Sequence, residues 1–223
     1  MFGTSFNPVE FIFGLVALIV AITIHEFSHA AAAERLGDPT PRLQGRLTLN
    51  PLAHLDPLGT LMLILIRFGW GKPVQFDPYN LRHPRRDSAI ISLAGPTSNI
   101  VLAIVCSLVL YALFTFRLAF VGYPMVSVFV YLFLGLLQQL IIINVILAVF
   151  NLVPIHPLDG FKIVEGMLPE DKAREWHELE RYGMIFLLFL LFPIFGGTAP
   201  VIRLISPVIN FLLNLLLPSA PLI

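Results

Sequence analysis

Phe11–Ala33, FIFGLVALIVAITIHEFSHAAAA, is an apolar run that carries His25-Glu26-Phe27-Ser28-His29 in its second half. About 20 apolar residues in a helix cross a bilayer core, and this run qualifies. On a helix, positions i and i+4 share a face, so the imidazoles of His25 and His29 can reach one metal ion. Glu26 stands beside them, where it can hold and deprotonate a metal-bound water. Ionisable groups are costly inside a membrane and mark function there. The plain alternative is a helix end at the membrane boundary with snorkelling side chains. It fails on depth: Glu26 lies roughly 10 Å inside the helix end near Arg35, too far for a short side chain to reach water.

The composition agrees with a membrane setting. Apolar residues make up 57% of the 223-residue chain and charged residues 13%, against about 45–50% and about 25% in soluble domains. The formal net charge is zero, so no nucleic-acid partner is expected. The single cysteine, Cys106, rules out an internal disulfide. The first apolar run lacks a basic leader and is too long for a signal-peptide core, so it is expected to stay in the protein.

Further runs at Ser88–Phe116 and Met125–Phe150 are also long enough to span. Met184–Leu217 is broken by Pro193, Gly196, Gly197 and Pro200 and reads as a helical hairpin with a short first arm. Leu58–Phe68 would cover only about 16 Å as a helix, too little to cross alone. If it dips in and returns, all 14 basic residues except Arg117 and Arg203 fall on one face. Cytoplasmic loops collect Lys and Arg, which puts the N-terminus outside and the metal motif toward the cytoplasm. The expected fold is therefore an α-helical polytopic membrane protein with about five to six transmembrane helices and a re-entrant or interfacial segment. Short cytoplasmic-face β-hairpins are expected from the β-like runs Gly45–Leu49 and Lys72–Phe76, set among prolines and glycines. Residues 159–182 read as one polar helix. The whole chain reads as a single domain, residues 1–223, with a catalytic core at about 8–160 and the C-terminal hairpin at about 183–217.

A catalytic zinc takes three protein ligands and a water, so one ligand must come from elsewhere. The run ending at Phe150 leads into Asn151-Leu-Val-Pro154-Ile-His156-Pro157-Leu158-Asp159-Gly160. The prolines stop the helix on the same side as the Arg35 end of the first one. Asp159 is then either an N-cap for the following helix or the third ligand, and the His-Glu-x-x-His motif favours the ligand.

These two motifs, with Ala94-Gly95-Pro96 between them, resemble the site-2 protease family over residues 8–160. Arg42–Asp56, with Asn50-Pro51-Leu-Ala-His54, is similar to its short prokaryotic branch, which lacks PDZ and CBS domains. The resemblance implies an intramembrane zinc metalloendopeptidase with one Zn2+ per chain. It matches His25, His29 and Asp159 to the metal ligands, Glu26 to the catalytic base and Asn151 to substrate or oxyanion binding. It implies transmembrane or extended membrane-protein substrates, with a prokaryotic cell membrane as the location and the lipid bilayer as a partner. A catalytically silent zinc-binding scaffold and a metal transporter are the rival readings. Intact Glu26 argues against the first, and an outer half nearly free of acidic and histidine residues argues against the second.

His156 departs from the family pattern, in which a proline or small residue is expected there. It reads as a possible fourth ligand or gate, or as a histidine facing the wet side. His54 reads as an entrance or accessory-metal residue, or as a satisfied loop histidine. Asn144, two turns before Asn151, is expected to bond between helices or to support the site. Ser98 and Asn99 read as helix-packing residues.

Overall fold

The computed structural model describes residues 7–66, 69–116, 124–193 and 197–218. In chain order the helices are α1 (Pro8–Leu36), α2 (Thr40–Leu43), α3 (Pro57–Ile66), α4 (Pro84–Phe116), α5 (Pro124–Asn151), α6 (Asp159–Met167), α7 (Glu170–His177), α8 (Gly183–Leu191) and α9 (Pro200–Leu216). α1 begins where the Asn7 side chain accepts from the Val9 N–H at 3.0 Å, with Pro8 in the first turn. The cap meets donors that a helix start leaves unpaired.

α1, α4 and α5 are the helices long and apolar enough to cross a membrane among the described residues. They pack on one another, with α6 laid against α4 and α9 against α5. The largest buried apolar cluster joins Ala103, Leu110, Leu134, Ile141 and Val145 of α4 and α5 to Leu187 of α8 and Ile205 of α9. The outer faces of α4 and α5 present Val101, Leu108, Val126, Phe129 and Phe133. Such a broad apolar exterior is what lipid would cover. Within the bundle the pattern inverts: Asn99 and Asn144 are fully buried, and His25 and His29 nearly so.

Several sequence expectations change. Against five to six crossings, the described residues contain three helices of full spanning length. The C-terminal arms are two helices of nine and 17 residues, because Pro193 and Pro200 interrupt the apolar run. Residues 57–66 do form a short helix, α3, of ten residues; Arg67 and Phe68 lie outside the described residues. The β-hairpins do not form. No strand occurs among the described residues, and the pairing there is a single antiparallel bridge between Leu55 and Gly71. Gly45 sits in a turn with its N–H on the Arg42 carbonyl, and Pro73 has no N–H to offer a ladder. The expected polar helix at 159–182 divides into α6, α7 and a 3-10 turn at Glu178–Tyr182, with Pro169 at the break.

Buried polar side chains tie down the loops between α1 and α4. Arg46 is 4% exposed and donates to the backbone carbonyls of Ala53 and Lys72. Burial draws its pKa down from the ordinary arginine value, and the Glu26 carboxylate opposes that. The Lys72 N–H donates to the His54 carbonyl at 2.8 Å. Asp38 gathers the Asp77 N–H, the Thr40 hydroxyl and the Asn80 amide. These bonds hold residues 72–77 as one extended segment across α1.

Candidate metal centre

α1 presents His25 and His29 on one face, and α6 brings Asp159 to them. His25 Nε2 lies 3.0 Å from His29 Nε2 and 3.1 Å from Asp159 Oδ2, and the remaining edge, from His29 Nε2 to Asp159 Oδ2, is 3.3 Å. The two rings meet edge to face. These three side chains form the group able to hold a metal among the described residues.

Protons decide what the triangle can hold. His29 Nδ1 is 2.7 Å from the Ile91 carbonyl, which can only accept, so Nδ1 carries the hydrogen. His25 Nδ1 is 2.7 Å from Asn99 Oδ1, also an acceptor, so its hydrogen is on Nδ1 too. In the neutral imidazoles that bind a metal, both Nε2 atoms then present bare lone pairs to each other. Asp159 Oδ2, facing them, is buried without a hydrogen-bond partner. Three acceptors at this spacing repel unless a cation lies between them. Tetrahedral zinc with bonds of about 2.0–2.1 Å sets its ligand atoms about 3.3 Å apart, close to the edges observed. The donor set therefore fits zinc.

The local sequence explains the placement of Asp159. It is the first residue of α6, not its cap: Leu158 holds the cap position and makes no side-chain bond there. The helix start favours a carboxylate at this end. Gly160 lets α6 close in, because a side chain there would strike the carbonyls of Leu152 and Val153. Gly95 of α4 is nearly as tight. A β-carbon on it would run into the imidazoles of both His25 and His29, so α4 is a wall pressed against the ligand rings.

Glu26 points away from that wall. Its Oε2 accepts the Val74 N–H at 2.7 Å, so the extended segment lies on the general-base candidate. At the far end of the same segment, the Lys162 ammonium sits 4.4 Å above the Phe76 ring. Burial lowers the Lys162 pKa, and the carboxylates of Asp159, Glu180 and Glu165 oppose that shift.

The other expected residues stand elsewhere. Asn151, at the end of α5, bonds its own helix, with Nδ2 on the Leu147 carbonyl at 2.9 Å. His156 does not join the metal group; its Nδ1 is 3.6 Å from Glu180 Oε1 and its ring packs edge-on against Phe161. His54 is fully buried and spans its own turn, Nε2 lying 2.8 Å from the Thr48 carbonyl. Sequence reading gave Asn99 a helix-packing role and did not single out Val74. Asn99 carried a signal, being a polar residue deep in an apolar run one turn after Gly95. Val74 carried none, because its contribution is a backbone N–H.

A metal-binding triad with two buried histidines on a helix of membrane length and an aspartate at the start of α6 places this protein among the membrane-embedded metalloproteins. Comparison of the whole chain narrows the class: it belongs to peptidase family M50, the site-2 proteases, whose sequence model matches residues 13–192. It is 37% identical to the "Putative zinc metalloprotease YwhC" of Bacillus subtilis, over 79% of this chain and 78% of that one. It is 33% identical to the "Putative zinc metalloprotease Rip2" of Mycolicibacterium smegmatis, over 81% of this chain and 67% of the relative. The protein named Rip2 in Mycobacterium tuberculosis H37Rv is 32% identical, over 84% and 70%. No solved structure matches the chain significantly. The protein is thus a metalloprotease of the membrane, and its metal is zinc.

Proposed function

We propose that the chain is an intramembrane endopeptidase that cuts membrane-spanning or membrane-adjacent segments of other proteins, using His25, His29 and Asp159 to hold zinc and Glu26 as the general base. The observation that carries this reading is the convergence of His25 Nε2 and His29 Nε2, from a helix of membrane length that also carries Glu26, with Asp159 Oδ2 from α6. Bound zinc supplies Lewis acidity toward water and the scissile carbonyl. Glu26 takes the proton of the attacking water and returns it to the leaving amine. The Val74 N–H fixes one carboxylate oxygen of Glu26, which restricts the rotation of the base. Asn151 is the donor for the developing oxyanion and turns from the Leu147 carbonyl to act.

A transmembrane substrate hides its amides in internal hydrogen bonds, so it must arrive locally unwound. The extended segment Lys72–Phe76, rather than residues 45–49, offers backbone to such a strand. The skew of basic residues supports an active site toward the cytoplasm and an N-terminus outside, in a prokaryotic cell membrane. The decisive test mixes purified protein with a transmembrane reporter, with and without a chelator, beside Glu26→Gln. Cleavage that stops with chelator and with the glutamine variant is expected; cleavage that persists in Glu26→Gln refutes the mechanism.

A further inference from the structure

Behind the metal ligands runs a line of buried amides that the proposed chemistry does not use. Asn99 of α4 and Asn144 of α5 are both fully buried. Asn99 Nδ2 lies 3.1 Å from the Ala21 carbonyl and 2.7 Å from Asn144 Oδ1. Asn144 Nδ2 lies 2.8 Å from the Leu140 carbonyl of its own helix. Two of these partners are backbone carbonyls, which only accept. The Leu140 carbonyl therefore fixes which end of the Asn144 amide is the donor, and Oδ1 is left facing Asn99. The Ala21 carbonyl and that oxygen together demand both hydrogens of Asn99 Nδ2. Asn99 Oδ1 must then face His25, 2.7 Å from Nδ1. Every link has one consistent direction, and the line ends on a metal-ligand candidate.

We propose that Asn99 and Asn144 are positioning residues that set the tautomer of His25, holding its hydrogen on Nδ1 and its Nε2 lone pair toward the metal. The proposal rests on the zinc-site reading above and adds a claim about α5, which contributes no ligand to the triangle. His29 needs no such relay, because the Ile91 carbonyl fixes it directly. His25 is held by an amide, and an amide can turn over; an unanchored Asn99 could present its NH2 group to Nδ1 and drive the hydrogen onto Nε2. Asn144 removes that choice. The histidine partner is thus a neutral side chain whose direction is imposed from a third helix, where a carboxylate or a backbone carbonyl is the usual partner.

The test measures zinc affinity of the full-length protein in detergent by chelator competition, together with the absorption bands of the cobalt-substituted form. The variants are Asn99→Leu, Asn99→Asp and Asn144→Leu. Loss of an outer partner of a metal-bound histidine weakens metal binding about 10–100-fold. Asn99→Leu is expected in that range, with altered cobalt bands. Asn144→Leu is expected to weaken zinc several-fold, because Asn99 is then free to turn. Asn99→Asp keeps an acceptor for Nδ1–H but gives up both hydrogens donated to Ala21 and Asn144, and is expected to weaken zinc clearly less than Asn99→Leu. Equal affinity in parent, Asn99→Leu and Asn144→Leu overturns the proposal. So does equal weakening in Asn99→Leu and Asn99→Asp, which would mark a packing role only. If the parent protein binds no zinc, the metal-site reading itself falls, a separate outcome.

Discussion

Alanine at position 95 puts the geometry of the centre under direct strain. The added methyl carbon would stand 2.6 Å from Cε1 of both His25 and His29, where ordinary contact begins at 3.4 Å. The His25 ring would have to retreat by about 0.8 Å and the His29 ring, whose Nε2 would lie only 2.4 Å from the added carbon, by about 1.0 Å, or α4 would have to move back by as much. Ligand distances at a working metal site hold to about 0.2 Å, so the shift exceeds the tolerance several-fold. A misplacement on the order of 1 Å costs about 100-fold in catalysis. Gly95→Ala is therefore expected to weaken zinc by about 10–100-fold and to lower reporter cleavage by about 100-fold. Alanine otherwise suits a helix interior better than glycine by about 0.5–1 kcal/mol, so helix content by circular dichroism should not fall. Chelator competition and the cleavage assay on the same preparation separate the site from the fold. A folded Gly95→Ala protein with parental zinc affinity and cleavage would refute the placement of α4 against the two imidazoles.

Four further outcomes can be checked. Glu26→Gln should lose cleavage by about 100–10,000-fold while its zinc content, by atomic absorption, stays at the parental level. Val74→Pro removes the N–H that holds Glu26 Oε2; turnover is expected to drop about tenfold with zinc affinity unchanged, and unchanged turnover would show that the contact does not matter. His156→Ala should leave zinc affinity at the parental value, since the ring faces Glu180 and Phe161; a tenfold loss by chelator competition would return it to the metal. Burial pushes the Asp38 carboxyl up, but bonds from Thr40, Asn80 and the Asp77 N–H outweigh that and hold it below the usual carboxylate range. A depressed folded pKa contributes stability above the unfolded value of about 3.9 and loses it as the pH falls, so thermal midpoints should decline more steeply below about pH 5 in the parent than in Asp38→Asn.

The part of the site that rests on periodicity was legible in the sequence. Four-residue spacing places His25 and His29 together on any helix, and the proline-rich turn before Asp159 brings the chain back to the same end of the bundle. Asp159 as ligand or cap was undecidable from spacing alone; the structure separates the two because Leu158 occupies the cap position. Elements that depend on pairing between distant segments were read less well. Residues 45–49 and 72–76 have strand-like composition, yet a strand needs a partner edge, and the buried Arg46 guanidinium, the His54 carbonyl and Glu26 take the backbone groups a partner would have used. Asn99 was misread for a similar reason. In one dimension a lone asparagine in an apolar helix looks like packing, and only the meeting of α1, α4 and α5 aims it at His25.

The three sides of the centre are not equivalent, and this bears on how a substrate could approach. α4 closes one side: Gly95 touches both rings, and Ile91 and Asn99 take both Nδ1 hydrogens. α6 closes a second, where Gly160 leaves no gap between its first turn and the Leu152 and Val153 carbonyls. On the third stand Glu26 and the extended segment at Val74, joined by a hydrogen bond rather than by side-chain packing. A single such bond contributes about 1 kcal/mol net, somewhat more to a charged group, far less than separating packed helices would cost. Substrate approach along residues 72–77 is therefore the least costly route. The segment's anchors, Arg46 on the Lys72 carbonyl and Lys162 over Phe76, stand before and after Val74. They leave Val74, the residue that touches Glu26, as the one most able to yield.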